Sequence, residues 1–267
     1  MLTREQIERT ARQLEAAEKN RQQMRSVSFE YPDMDVNDAY AVQKAWMDLK
    51  MQAGRRIIGR KVGLTSRAMQ QAMQINEPDF GVLLDDMLFA EGAEIEVGRF
   101  TDLRLEVELA FVLKTPLRGP GVRVTDVLAA TAYVVPAVEL IAARTFRIDP
   151  QTHKPRGVID TISDNAASAA VMIGGRPVPV DAVDLRWVGA LLSKNGVIEE
   201  SGVAGAVMNH PANAVAWLAN RFGDLGETLG AGELILSGSF TRPLLVAPGE
   251  IWHVDFGSLG SFSCRFV

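Results

Sequence analysis

An α+β fold is predicted, with a helical N-terminal segment over roughly residues 1–55 and a second domain, a mixed β-roll or barrel, over 56–267. Three observations carry this expectation. Helical periodicity fills the first segment and then stops. The remainder of the chain is a series of short apolar runs punctuated by Gly, Pro and Asp, with few helical patterns among them. No glycine-rich loop joins a strand to a helix in the manner of dinucleotide or P-loop sites, so nucleotide binding is not expected.

Thr3 and Gln6 have the spacing of a capping box, and Ile7, Ala11, Leu14 and Ala17 continue at helical intervals. A second helix is expected to start near Asn37, carry Ala41, Val42, Ala45, Trp46 and Leu49, and stop at Gly54. RRIIGRKVGLT (55–65) reads as a strand opening into a Gly-bounded turn, followed by a short helix from Ser66. DLRLEVELAFVLK (102–114) is the clearest strand, closed by Pro116 and the Gly-Pro-Gly of 119–121. Thr125 is expected to cap a helix over DVLAATAY, after which VVPAVELIA is buried, extended or helical. WVGALLSKNGVIEESG reads as a hairpin whose Asn195-Gly196 supplies the positive φ values of a type I′ turn. Asn209 to Pro211 opens a helix with proline in its first turn, and ELILSGS, EIWHVDF and SFSCRFV are read as strands.

Composition narrows the function classes. At 47% hydrophobic and 23% charged residues the chain has the make-up of a soluble globular protein. A net charge of −5 without a Lys/Arg cluster argues against nucleic acid, so an anionic substrate needs a metal or locally placed cations. The single cysteine, Cys264, cannot make an internal disulfide, which points to a reducing cytoplasm. It is read as a small residue of a final strand. The charged N-terminus is not a signal peptide, and no apolar run approaches the ~20 residues of a spanning helix, so no membrane is expected.

Glu106 and Glu108 share one face of their strand, about 7 Å apart given a ~3.3 Å rise per residue. Two readings stand: a solvated sheet face, or two ligands of one cation. Glu139 lies inside YVVPAVELIA with no polar neighbour, and a buried carboxylate must be paired, with Arg144 or another base, or hold a metal. Three carboxylates without a nearby histidine favour Mg²⁺ or Mn²⁺ over zinc. Lys61 sits between Gly59 and Gly63, either as an edge-strand surface lysine or as an acid/base of depressed pKa in a dry pocket. Asp79, between Pro78 and Phe80, is a turn residue whose carboxylate is stiffly aimed. Ser163, Asp164 and Asn165 read as a helix cap. The basic stretch 143–160 reads as an exposed connection or a loop closing over substrate.

The stretches GRKVGLTS (59–66), EPDFGVLLDDM (77–87), EVELAFVL (106–113), PAVEL (136–140), SDNAAS (163–168), NHPANAVAWLA (209–219) and GELILSGSF (232–240), in this order, resemble the fumarylacetoacetase C-terminal superfamily. The nearest branch is that of the 2-oxo-alkenoate hydratases of aromatic meta-cleavage catabolism. The resemblance implies a divalent metal on Glu106, Glu108 and Glu139, with Mg²⁺ expected and Mn²⁺ an alternative, and catalytic roles for Lys61 and Asp79. It implies a small-molecule 2-oxo acid substrate, with a seven-carbon dioate of the homoprotocatechuate pathway expected. It also implies a homo-oligomer, a pentamer-based decamer, and a complex with a pathway decarboxylase. A decarboxylase of the same fold, or a non-catalytic partner of one, is the alternative.

Overall fold

The computed structural model describes residues 1–267, the side chain of Ala72 apart. The helical segment comprises α1 (Arg4–Asn20), the single turn α2 (Val27–Glu30) and α3 (Val36–Gln52). The expected capping box is formed: Thr3 Oγ1 accepts from the Gln6 N–H, and the Thr3 N–H donates to Gln6 Oε1. The second helix starts earlier than Asn37. Asp35 is its N-cap, accepting from the Asp38 N–H at 2.9 Å, because a carboxylate here also interacts well with the helix dipole. Ala11 and Leu14 of α1 and Val42 and Trp46 of α3 bury one apolar stripe against Val82 and Leu84.

The rest of the chain runs β1 (Ile57–Gly63), α4 (Arg67–Ala72), β2 (Asp79–Leu84), β3 (Leu88–Ala90), β4 (Glu94–Ile95), β5 (Arg104–Leu113), α5 (Val124–Ala130) and β6 (Thr131–Ile141). It continues with α6 (Val158–Ser163), β7 (Ser168–Ile173), β8 (Gly189–Lys194), β9 (Val197–Val203), α7 (Pro211–Asp224), β10 (Leu234–Leu236), β11 (Leu244–Leu245), β12 (Ile251–Asp255) and β13 (Ser261–Phe266). Two mixed sheets result. The larger has the order β2-β1-β10-β5-β6-β7-β3, with β11 also paired to β5, and the smaller the order β4-β13-β12-β8-β9. Their facing apolar residues, among them Leu105, Val107, Leu109 and Phe111 of β5 and Trp252, Val254 and Phe262, join α5 and α7 in one core.

Two expectations about 125–141 are corrected. Thr125 is not the cap; the helix follows Arg123, whose N–H is taken by Asp126 Oδ2 at 2.8 Å. The helix also ends at Ala130 rather than running through Tyr133, because Thr131 onward pairs with β5 and the β-branched valines are satisfied in a two-sided buried strand. The Asn195-Gly196 hairpin is present, with φ of +51° and +85°. His210 caps α7 by accepting the Ala212 N–H on Nδ1, and Cys264 lies buried in β13, its thiol pushed up to about 12 by burial. Among the described residues, no helix is long and apolar enough to cross a membrane.

Candidate metal centre and active site

The centre of the larger sheet carries the acidic residues. In the antiparallel β5–β6 pair, Glu106 stands directly opposite Glu139, and Glu108 lies two residues along the same face of β5, opposite Ala137. The alternation that buries Leu105, Val107 and Leu109 in the core turns the three carboxyl groups to the other side. Each offers an oxygen within 4.8 Å of the others, the one such cluster of metal-competent side chains among the described residues.

This face is not wet. Glu108 and Glu139 are each 1% exposed, which removes the solvated-strand reading. Arg144 is not the partner of Glu139 either, because its guanidinium is spent on Asp164. The nearest cation is Lys61, whose Nζ stands 3.6 Å from Glu139 Oε2, and neither Glu139 oxygen has a hydrogen-bond partner. Burial, then repulsion by Glu139, holds Glu106 up at about 7, and the same two causes, with Glu106 added, hold Glu108 well above the ordinary carboxylate range. Glu139 is raised by burial against the pull of Lys61. Glu108 keeps one anchor, the Gly238 N–H at 2.8 Å. Three converging carboxylates, two of them buried and one with both oxygens unspent, and one ammonium among them form a donor set suited to a hard divalent cation.

Lys61 is no edge residue. It lies on β1 between β2 and β10 and is 4% exposed. Its expected depressed pKa is corrected: burial pulls it down, but Glu139, Asp79, Glu106 and Glu108 together pull harder, and the ammonium form is favoured. Asp79 begins β2 opposite Gly63, fully buried, and burial raises its carboxyl against the attraction of Lys61 and Arg156. Gly63 is required here by space. A Cβ at this position would come within 2.2 Å of Asp79 Oδ1 and 3.2 Å of Lys61 Nζ. Gln43 of α3 donates to the Phe80 carbonyl at 2.9 Å, so the helical segment fixes the strand that carries Asp79.

The Lys61 and glutamate side chains open on a cavity of about 570 Å³ closed by Thr65, Met69 and the 239–243 segment. A second cavity of about 270 Å³ shares Lys61, Gly63 and Glu106 with it and includes Asp79, Arg147 and Arg156. All five residues expected from the sequence therefore converge: Lys61, Asp79, Glu106, Glu108 and Glu139.

Sequence reasoning missed the supports. Asp164 stands at the C-cap position of α6, but its carboxylate makes no capping bond and serves instead as a buried anchor that accepts from Arg144 and Arg156. Asn165 brackets the Val82 backbone with two hydrogen bonds at 2.8 and 2.9 Å, and Asn165, Ala166 and Ala167 all have positive φ beside the smaller cavity. A run of Asp-Asn before small residues was the available signal. The stretch 143–160 is exposed over 150–155, yet Arg144, Asp149 and Arg156 are buried within it and anchor it to the body of the protein.

The model for the fumarylacetoacetate (FAA) hydrolase C-terminal family matches residues 53–267. The chain is 57% identical over 257 residues, 96% of each protein, to the 2-oxo-hept-4-ene-1,7-dioate hydratase of Escherichia coli. It is 38% identical over 268 residues to a 4-oxalocrotonate decarboxylase of Pseudomonas putida, covering 100% of this chain and 98% of the other. The solved structure of 4-oxalocrotonate decarboxylase from Pseudomonas putida G7, complexed with magnesium and adipate, superposes with a TM-score of 0.96 at 37% identity, over 100% of this chain and 99% of that one. By sequence and fold, the chain belongs to the fumarylacetoacetate hydrolase C-terminal family.

Proposed function

We propose that the protein is a magnesium-dependent hydro-lyase that adds water to a 2-hydroxy-dienoate or its 2-oxo-alkenoate tautomer, in the breakdown of aromatic rings. The seven-carbon dioate, giving 4-hydroxy-2-oxo-heptanedioate, is the preferred substrate. The observation that carries the reading is the pair of buried, hydrogen-bond-free Glu139 oxygens facing Lys61 beside a cavity. The hydratase relative at 57% identity supports the reaction, and the relative solved with magnesium supports the ion.

Glu106, Glu108 and Glu139 would hold the ion, which when bound supplies positive charge for the carboxylate and C2 oxygen of a 2-oxo acid. The remaining work falls to the chain's own groups. Ketonisation moves the enol proton off the C2 oxygen and places a proton on C5, leaving a double bond between C3 and C4. Water oxygen then bonds to C4 and a proton arrives at C3, so one water is added in total. The Lys61 ammonium, kept charged by four acids, stands against the C2 oxygen and the C1 carboxylate as negative charge gathers there. Asp79, whose raised carboxyl exchanges protons nearer neutrality than an exposed aspartate, holds the water and takes its proton. Met69, Phe240 and Pro243 line the cavity and offer apolar surface to the dienol chain.

The decarboxylase reading stays as the second candidate because a decarboxylase relative matches the full chain at 38% identity. Purified protein mixed with 2-hydroxyhepta-2,4-diene-1,7-dioate and Mg²⁺ is expected to yield the 4-hydroxy-2-oxo acid. Release of CO₂ from a 2-oxo-hexenedioate without water addition would establish the decarboxylase instead. A homo-oligomer in the cytoplasm belongs to the same proposal, supported by the exposed Trp187, Leu191 and Val203 along an open groove of the smaller sheet.

A further inference from the structure

The two cavities that meet at Lys61 and Glu106 differ in their cations. The larger one has Arg242, which donates to Glu200 at 2.6 Å and is 79% exposed along its side chain, so its charge is matched one to one and wet. The smaller one has Arg147 and Arg156, and neither is matched in this way. Arg147 donates through Nε to Asp102, which Arg104 also approaches at 3.6 Å. Arg156 shares Asp164 with Arg144, at 3.2 and 2.5 Å. Four guanidinium groups thus divide two aspartates. Two further acids act on Arg156: Asp160, which is taken up by the Ser28 amide and hydroxyl and the Gly157 amide, and Asp79, which lines the same cavity and is shared with Lys61.

The surplus has a direction. Arg147 Nη2 is buried without a hydrogen-bond partner. Arg156 is held down at about 10 by burial and by repulsion from Arg147 and Arg144, against the pull of Asp164. An anion between the two would relieve both the repulsion and the unspent donor.

We infer that Arg147 and Arg156 receive the second carboxylate of a dicarboxylic substrate, the smaller cavity being the specificity pocket that favours dioates over monocarboxylic dienoates. This rests on the hydro-lyase reading, which puts the first carboxylate at the glutamate trio. The tail of the substrate then runs past Asp79, which lines the same cavity, so the reacting C4 and C5 pass the group assigned to handle water. Arg147 acts as the adaptable member of the pair, since its side chain is one-quarter exposed while that of Arg156 is locked on Asp164 and Thr145.

The test compares kcat and KM for 2-hydroxyhepta-2,4-diene-1,7-dioate and 2-hydroxypenta-2,4-dienoate, with Mg²⁺, in wild type, Arg147→Met, Arg147→Lys and Arg242→Met. Loss of a charged hydrogen bond to a carboxylate predicts a fall of roughly 10- to 100-fold in the dioate-to-monoacid ratio of kcat/KM for Arg147→Met, residing in KM. Arg147→Lys is expected to fall between, and Arg242→Met to leave the ratio in place. If Arg147→Met does not fold, the Lys variant decides alone, because it keeps the charge and loses the fork. An unchanged ratio in the folded Arg147 variants, a selective loss in Arg242→Met, or a wild type that prefers the monoacid overturns the inference while leaving the hydro-lyase standing. A wild type that hydrates neither substrate brings down the hydro-lyase reading itself.

Discussion

Two groups of buried charge lie on neighbouring segments and are treated in opposite ways. Around Asp164 every acceptor is used: Oδ1 accepts from Arg144 Nε at 2.5 Å, Oδ2 from the Arg144 N–H at 2.8 Å and Arg156 Nη1 at 3.2 Å, and the Asp164 carbonyl from Arg144 Nη2 at 2.7 Å. The Arg144 guanidinium also lies over the Trp46 ring at 5.0 Å, tying the helical segment to the sheet. Around Glu139 the accounting is left open, with three carboxyl groups, one ammonium at 3.6 Å and no hydrogen bond to either Glu139 oxygen. Burial alone therefore does not mark a functional charge. A satisfied buried cluster builds the frame, and an unsatisfied one inside that frame is where a ligand is wanted.

The largest test of this contrast is on the frame. Asp164→Ala leaves Arg144 and Arg156 buried without their shared carboxylate and is expected to destabilise the fold by about 3–5 kcal/mol, read as a drop in Tm or loss of soluble protein. A variant melting within a few degrees of wild type would erase the distinction. Next is Lys61→Met, expected to lower kcat by about 10²–10⁴-fold with the circular dichroism spectrum retained, as for loss of an acid/base group. Glu139→Gln sharpens the comparison from the other side. It is expected to weaken Mg²⁺ binding by on the order of 100-fold in calorimetry, while the metal-free protein keeps or gains Tm because one of three repelling charges is gone.

The smallest effect is in pH. Glu106 sits at about 7 in the fold against an ordinary 4.5, so between those values the folded protein holds a proton that the unfolded chain has released. A raised carboxyl of this kind stabilises the fold at the acid end of that window, and the stability falls as pH rises through it. Metal-free protein should thus lose a few degrees of Tm from about pH 5 to pH 7.5, and saturating Mg²⁺ should flatten the slope. A slope unchanged by Mg²⁺ would show that the trio does not carry it.

The features legible in the sequence were local ones, or charges in the wrong company. The Thr3–Gln6 box and the Asn195-Gly196 turn depend on residues a few places apart, and both are found where their chemistry put them. Glu139 was conspicuous because nothing polar surrounds it in the chain. The partner of Glu139 was not legible, since choosing Lys61 over Arg144 depends on how β1, β5 and β6 are ordered in the sheet. Asp164 looked like a cap because its role comes from an arginine 20 residues away. The left-handed Ala166 and Ala167 carried no signal at all, because alanine has no intrinsic preference for positive φ and takes it only when tertiary contacts impose it.

The β5–β6 register has a further consequence. The ladder runs from Leu113 paired with Thr131, nearest the connection, out to Arg104 paired with Ile141, and the Glu106–Glu139 pair falls toward the far end. Like charges facing each other there weaken the last rungs. Those rungs should breathe when the site is bare, giving a cation a way in from the strand ends, and clamp when it is filled. Amide hydrogen exchange at 104–106 and 139–141 would then report metal occupancy directly, fast without Mg²⁺ and slow with it, while the amides near Val112 stay protected throughout.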